Sequence, residues 1–142
     1  MRSISPGMAG LLLLLILMGC NPSIKRPPGS GAREAAQSYY EAILQKDWPG
    51  AYAALDSSSR TRLTVSQYTR LGENYRRNLG FEPESIAIRA WDEQGNAATV
   101  HVIWTGTALN KTHHFKDAIR LQLSEEGWRI VLPTSFGQKR TR

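Results

Sequence analysis

Two polar residues interrupt the apolar face of the third predicted β-strand, and they are the best placed in the chain for chemistry. Apolar side chains occupy alternate positions of that strand, at Phe115, Ile119 and Leu121. The two-residue period of a strand places His113 and Asp117 on the same face. A carboxylate that faces an apolar cavity can act as a general base or accept a hydrogen bond from a ligand. The alternative is that Asp117 lies at the exposed start of the strand, paired with an arginine or on a bulge.

Other kinds of chemistry have little support in the residues. His113 and His114 are adjacent on a predicted strand, so their side chains point to opposite faces, and His101 lies on the outer face of its own strand. The only cysteine, Cys20, falls outside the predicted domain. The sequence contains no glycine-rich phosphate loop and no local serine–histidine–aspartate arrangement. We therefore predict no metal site and no cofactor.

Cys20 stands where an apolar run meets a proline-rich segment. The run over residues 8–18 is too short to cross a bilayer as a helix, which needs about 20 apolar residues. A positive start at Arg2, an apolar stretch and small residues before a cleavage point are typical of a secretory signal. The junction resembles the bacterial lipoprotein box, which directs acylation of its cysteine and cleavage before it, through Leu17, Met18, Gly19 and Cys20.

The lipoprotein resemblance implies a membrane partner. Residues 1–19 would be a cleaved signal peptide, and Cys20 would carry diacylglycerol and acyl groups such as palmitate, which hold a protein at a membrane almost irreversibly. Residues 20–31 are rich in proline and glycine and are predicted to form a flexible tether. Asn21 replaces the aspartate that retains lipoproteins at the inner membrane, so we expect the outer membrane, facing the periplasm, if the organism is Gram-negative. The alternatives are a plain signal peptide or a core helix that contains a cysteine.

The distribution of charge argues against a nucleic-acid partner. The formal net charge is +6, which by itself would favour an anionic partner. Six of the 18 basic residues lie outside residues 31–138, however, which leaves 12 basic residues against all 12 acidic ones. The body of the protein is therefore neutral, and the basic excess belongs to the two ends of the chain.

The first half of the chain has the apolar spacing of helices. A first helix is predicted over residues 32–46. A short second helix follows Asp47, which can cap it, and the polar run 56–59 is expected to end it. Thr64 begins a capping box for a third helix, which Gly80 is expected to stop.

From residue 84 the apolar period changes to two, which predicts four strands. The stretches "DEQGN" and "SEEG" are predicted hairpin turns, and "TGTALNKT" is predicted to be a longer loop. Three helices followed by a four-stranded antiparallel meander define a single α+β domain over residues 32–133. Residues 134–142 are predicted to form a basic C-terminal tail.

The stretch "YYEAILQKDWPGAYAAL" and the closing "EEGWRIVLP" resemble the nuclear-transport-factor-two-like superfamily. This is the cone-shaped α+β fold shared with ketosteroid isomerase, and the likeness covers residues 32–133. The resemblance implies a curved four-stranded sheet around N-terminal helices, with a pocket open at one end. The pocket would combine His113 and Asp117 with aromatic walls and a hydroxyl from Tyr39, Tyr40, Tyr68 and Trp104.

The outer face of the predicted sheet is more apolar than a fully solvated face needs to be. In the family that this chain resembles, this surface often forms homodimers; the C-terminal tail or the first helix could instead cover it. The apolar residues that we assign to it are Ala87, Trp91, Ile103, Ala118 and Val131.

From these features we expect a lipid-anchored protein of the bacterial cell envelope whose domain binds a small apolar ligand or a protein partner without catalysis. One alternative is a pocket enzyme of the isomerase or dehydratase type that uses Asp117 and a tyrosine. A second alternative is a dimeric scaffold that acts through the outer face of the sheet.

Overall fold

The computed structural model describes residues 31–139, in which four helices pack on one face of a four-stranded antiparallel sheet. The strands follow one another as a simple meander, so the predicted α+β class is confirmed. The predicted signal peptide, Cys20 and most of the tether lie outside these residues. None of the helices within them is long and apolar enough to span a membrane. The elements are α1 (Ala32–Leu44), α2 (Trp48–Ala53), α3 (Ser57–Arg62), α4 (Val65–Asn78), β1 (Glu82–Gln94), β2 (Ala97–Ala108), β3 (Lys111–Ser124) and β4 (Gly127–Val131).

Local hydrogen bonds fix the predicted starts of two helices. The Asp47 carboxylate accepts from the Gly50 backbone N–H at 3.1 Å and caps α2. At α4, Thr64 Oγ1 accepts from the Gln67 backbone N–H, and Gln67 Oε1 accepts from the Thr64 N–H, at 3.2 and 2.9 Å. These contacts satisfy N–H groups that a helix start otherwise leaves unpaired. Gly80, with φ of +79°, follows the C-cap and turns the chain into β1.

The polar run after α2 begins a helix of its own, so residues 31–139 contain four helices and the prediction of three is wrong. Asp56 caps α3 by accepting from the Ser59 backbone N–H at 2.9 Å. The Ser59 side chain is buried, and its hydroxyl accepts from the Leu132 backbone N–H at 3.0 Å. Serine is disfavoured inside helices mainly because its hydroxyl competes for nearby backbone hydrogen bonds. Here the Ser59 N–H is bound by the Asp56 carboxylate, and the Ser59 hydroxyl is used by the Leu132 N–H.

The predicted long loop at "TGTALNKT" is also wrong, because β2 continues to Ala108 and β3 begins at Lys111. Only Leu109 and Asn110 connect the two strands, and both have positive φ, 51° and 60°. Two left-handed residues in succession form the tight hairpin turn that matches strand twist. The usual glycine of such a turn is absent from the sequence, so the pattern did not reveal it.

A bulge in β1 moves Trp91 to the opposite face of the sheet from the predicted one. The pairing with β2 shifts between Ile88 and Ala90, and Trp91 then pairs with Val100, which is fully buried under the helices. One extra residue in a strand moves every later side chain of that strand to the opposite face of the sheet. Trp91 lies under the guanidinium of Arg33 on α1, 5.6 Å from the ring centroid. The outer face keeps only the smaller apolar residues Ala87, Ile103, Ala118 and Val131.

The core continues into the segment after β4, beyond the predicted domain end at residue 133. Phe136 is only 7% exposed and stacks on Tyr68 and Tyr75, with ring centroids 5.5 and 5.0 Å apart. Gly137 follows with φ of +72°, and a Cβ there would overlap the backbone carbonyl oxygen of Leu71 on α4. This part of the tail therefore packs as closely as a core element.

Candidate functional site

A cavity of about 620 Å³ opens between α4, β3 and residues 133–139. Its volume is in the range of pockets that hold small molecules. Its lining includes four aromatic side chains and one carboxylate. These are Tyr40, Tyr75, Phe115, Phe136 and Asp117.

The Asp117 carboxylate is held by hydrogen bonds from two helices. Tyr75 on α4 donates its hydroxyl to Asp117 Oδ2 at 2.7 Å, and Tyr40 on α1 donates to the same oxygen at 3.3 Å. The other oxygen, Oδ1, accepts from the Ala118 backbone N–H at 2.8 Å. Residue parity along β3 thus places Asp117 under the helices, but its partners are tyrosines rather than an arginine.

A second hydrogen bond extends this arrangement into the core. The indole Nε1–H of Trp104 on β2 donates to the Tyr75 hydroxyl oxygen at 2.8 Å. Trp104 is fully buried and makes edge contacts with Tyr40. A donor behind Tyr75 polarises its hydroxyl toward Asp117, because linked hydrogen bonds strengthen one another. The carboxylate is therefore fixed by a chain of groups rather than by a single contact.

The tyrosine at the cavity wall stays a hydrogen-bond donor over the physiological range. Burial raises the pKa of Tyr40 well above its ordinary value, and the nearby Tyr75 and Asp117 raise it further. The neutral hydroxyl can only donate to the carboxylate, whose oxygens are acceptors when it is ionised.

The other predicted site residues lie deeper or elsewhere. Tyr68 donates to the Tyr39 hydroxyl at 3.0 Å, and burial raises the pKa of both, so this pair belongs to the core behind the cavity. His113 is exposed and stacks on Phe81, at a ring distance of 5.9 Å. Of the six predicted pocket residues, the structure brings Tyr40, Trp104 and Asp117 together, and it places His113 outside this cavity.

Tyr75 is the site residue that the sequence analysis missed. It lies on α4, seven residues after Tyr68, and helical spacing alone places both tyrosines in the apolar, core-facing stripe of that helix. The sequence did contain a clue to this role. A tyrosine on the core-facing side of a helix needs a hydrogen-bond partner for its hydroxyl, and Asp117 is an acidic residue on the strand that faces this helix.

Two further properties limit the chemistry of the site. Within residues 31–139, no lysine, arginine or histidine nitrogen lies within 4.0 Å of the Asp117 carboxylate, since the four ion pairs there join other residues. The same part of the chain contains no group of three or more histidine, cysteine, aspartate or glutamate side chains able to hold a metal ion.

No protein-family model and no curated protein matches this sequence. Solved structures do match it. A SEC-C motif-containing protein from Rhodopseudomonas palustris is 14% identical, with a TM-score of 0.55 over 72% of this chain and 76% of that one. A proposed NTF2-like transpeptidase from Campylobacter jejuni is 13% identical, with a TM-score of 0.55 over 70% of this chain and 96% of that one.

A SEC-C motif-containing protein from Psychrobacter arcticus is 9% identical, with a TM-score of 0.58 over 74% of this chain and 60% of that one. At such identities the likeness shows the fold alone. The domain has the cone-shaped α+β fold of NTF2-like proteins, as the sequence resemblance implied. Fold likeness does not assign a function, so function has to be argued from the cavity.

Proposed function

We propose that this protein binds a small, largely apolar ligand in the cavity and does not transform it. The observation that carries the proposal is a carboxylate fixed in an aromatic-walled cavity by two tyrosine hydroxyls. Three of the about four acceptor positions of the Asp117 carboxylate are already engaged, two on Oδ2 and one on Oδ1, so the group is held in place as the acceptor of one further hydrogen bond. Rigid acceptors among aromatic walls are suited to orienting a bound molecule.

Filling the cavity with a side chain should weaken binding. Ser135 lies on the cavity lining and is exposed, so Ser135→Phe should weaken binding of naphthalen-2-ylmethanol at least about tenfold, a loss of about 1.4 kcal/mol. The measurement is a two-dimensional NMR titration that follows the indole N–H resonance of Trp104, which is bonded to Tyr75 at the cavity wall. The absence of this resonance in Trp104→Phe identifies it.

The matched control is Thr134→Phe, because Thr134 is the exposed neighbour of Ser135 but is not part of the lining. It should leave the dissociation constant unchanged within about twofold. Equal affinity in both variants would place the ligand elsewhere and contradict the proposal.

A specific observation also supports the enzyme alternative. The chain from Trp104 through Tyr75 to Asp117 contains a carboxylate and a polarised hydroxyl, which are the groups that acid–base isomerases and dehydratases use. That alternative requires that Asp117→Asn abolish turnover of a suitable compound, such as conversion of cyclohex-3-enone to its conjugated isomer, while the fold is retained. The binding proposal requires no turnover in the unaltered protein.

We also propose that the domain is attached to a membrane through acyl groups on Cys20, in the cell envelope. The support is the lipoprotein box at residues 17–20, in a part of the sequence that the structure does not describe. Cys20→Ser should move the protein completely from the membrane fraction to the soluble or unprocessed fraction. Intact mass should show a mature chain that begins at Cys20 and carries acyl mass.

Ser23→Ala is the control for this experiment, because it alters a small polar residue just after the box and should leave attachment and mass addition intact. An unaltered protein that is soluble and without acyl mass would contradict the anchoring proposal. It would leave the binding proposal untouched.

A further inference from the structure

The negative charge of the cavity has no positive partner in the described part of the chain. The Asp117 carboxylate is half-buried in the lining of the cavity, and its hydrogen-bond partners are hydroxyl and backbone N–H groups. No cationic nitrogen of residues 31–139 reaches within 4.0 Å of it. Lys139 lies on the cavity lining, but it is exposed and remains beyond that distance. A half-buried carboxylate without a counter-charge favours a ligand that supplies one.

The lone pairs of the carboxylate show how a ligand would meet it. An ionised carboxylate offers about four acceptor positions, two on each oxygen. On Asp117, Oδ2 receives Tyr75 and Tyr40, and Oδ1 receives the Ala118 N–H. One acceptor position therefore remains on Oδ1. A single N–H of an ammonium group fits it and makes a charge-assisted hydrogen bond, which is stronger than a neutral one.

The walls of the cavity also favour positive charge. Tyr75 and Phe115 line it and are partly exposed, and the negative face of an aromatic ring attracts a cation within about 6 Å. The same rings provide an apolar surface for the rest of a ligand. Because Phe136 is stacked on Tyr75, this surface is fixed before the ligand arrives, which reduces the entropy lost on binding.

We propose that the ligand of this cavity is a small organic ammonium cation with an apolar or aromatic body. Its N–H group is bound by Asp117 Oδ1, and its body lies against the aromatic rings. This assignment rests on the proposed binding function and specifies the class of ligand.

The test uses three ligands with one naphthalene body and different charge: naphthalen-2-ylmethanamine is a cation, naphthalen-2-ylmethanol is neutral and 2-naphthoate is an anion. Each is titrated into the detergent-solubilised full chain, and binding is followed by the Trp104 indole resonance. The amine should bind at least about tenfold more tightly than the alcohol, as expected for a hydrogen bond to a charged group. The anion should bind most weakly.

Asp117→Asn should remove the preference for the amine, since it keeps the shape of the side chain and deletes its charge. Asp92→Asn makes the same change at an exposed position of β1 and should keep the preference, which also controls for partition into detergent. Equal affinities for amine and alcohol, or a preference that survives Asp117→Asn, would overturn the assignment while the binding function stood. If none of the three ligands shifts the Trp104 resonance, the binding function fails as well.

Discussion

Replacing Trp104 by alanine should lower the free energy of unfolding by about 3–5 kcal/mol, the usual cost of deleting a buried large aromatic side chain. Trp104 is 0% exposed, lies between Tyr40 and Tyr75, and donates the hydrogen bond behind the site. The substitution would leave a large cavity and remove a donor at once. Domains of this size are stable by about 5–15 kcal/mol, so the loss would be a large part of the total. Urea denaturation measures it.

Two other tryptophan substitutions make this result specific. Trp104→Phe keeps most of the volume but loses the N–H donor, and it should cost about 1–2 kcal/mol. Trp91→Ala deletes the same kind of side chain from the same face of the sheet, where it is 45% exposed under Arg33. It should cost less than about 1 kcal/mol. Similar losses for Trp104→Ala and Trp91→Ala would contradict the packing described above.

Gly137→Ala should destabilise the protein by about 2–5 kcal/mol and detach the segment that closes the cavity. Two costs combine at this position: a left-handed backbone, with φ of +72°, and a Cβ that would overlap the Leu71 carbonyl oxygen. The first costs about 1–2 kcal/mol and the second forces a backbone shift that costs about 1–3 kcal/mol. Because Phe136 is the preceding residue, its stacking on Tyr75 should be lost with the shift.

Gly80→Ala separates these two costs. Gly80 has φ of +79°, close to that of Gly137, but nothing lies within 4 Å of its hypothetical Cβ. It should therefore lose only about 1–2 kcal/mol, and ligand binding should be unchanged. If both variants lost the same stability, close packing of the tail against α4 would be excluded. Urea denaturation and naphthalen-2-ylmethanol binding are the two measurements.

Parity along β3 holds at Asp117, which lies on the helix-covered face, because β2 and β3 pair without any register shift. Uninterrupted pairing preserves the two-residue alternation, so Val102 and Asp117, which pair with each other, share a face. The same reasoning failed for Trp91 because β1 contains a bulge that no residue type marks. Parity is reliable only between bulges, and bulges depend on tertiary context.

The partners of Asp117 were harder to predict than its orientation. Tyr40 was among several tyrosines in the first half of the chain, and the helical period alone does not say which of them reaches β3. Tyr75 was visible only as one member of an apolar stripe. The pairing needs the distance between α4 and β3, which packing sets and local sequence does not. The contribution of Phe136 was missed for the same reason, because its short segment has no periodic pattern.

The two irregularities of β1 have a consequence for the solubility of the protein. The described sheet ends at β1, a strand of 13 residues whose outer edge has no strand beside it within residues 31–139. A long regular edge invites strand addition by another chain and thus aggregation. The pairing of β1 shifts at Pro83/Ser85 and again at Ile88/Ala90, so its backbone groups do not form one continuous row. Proline and bulges at an edge discourage fibril-like association with other chains.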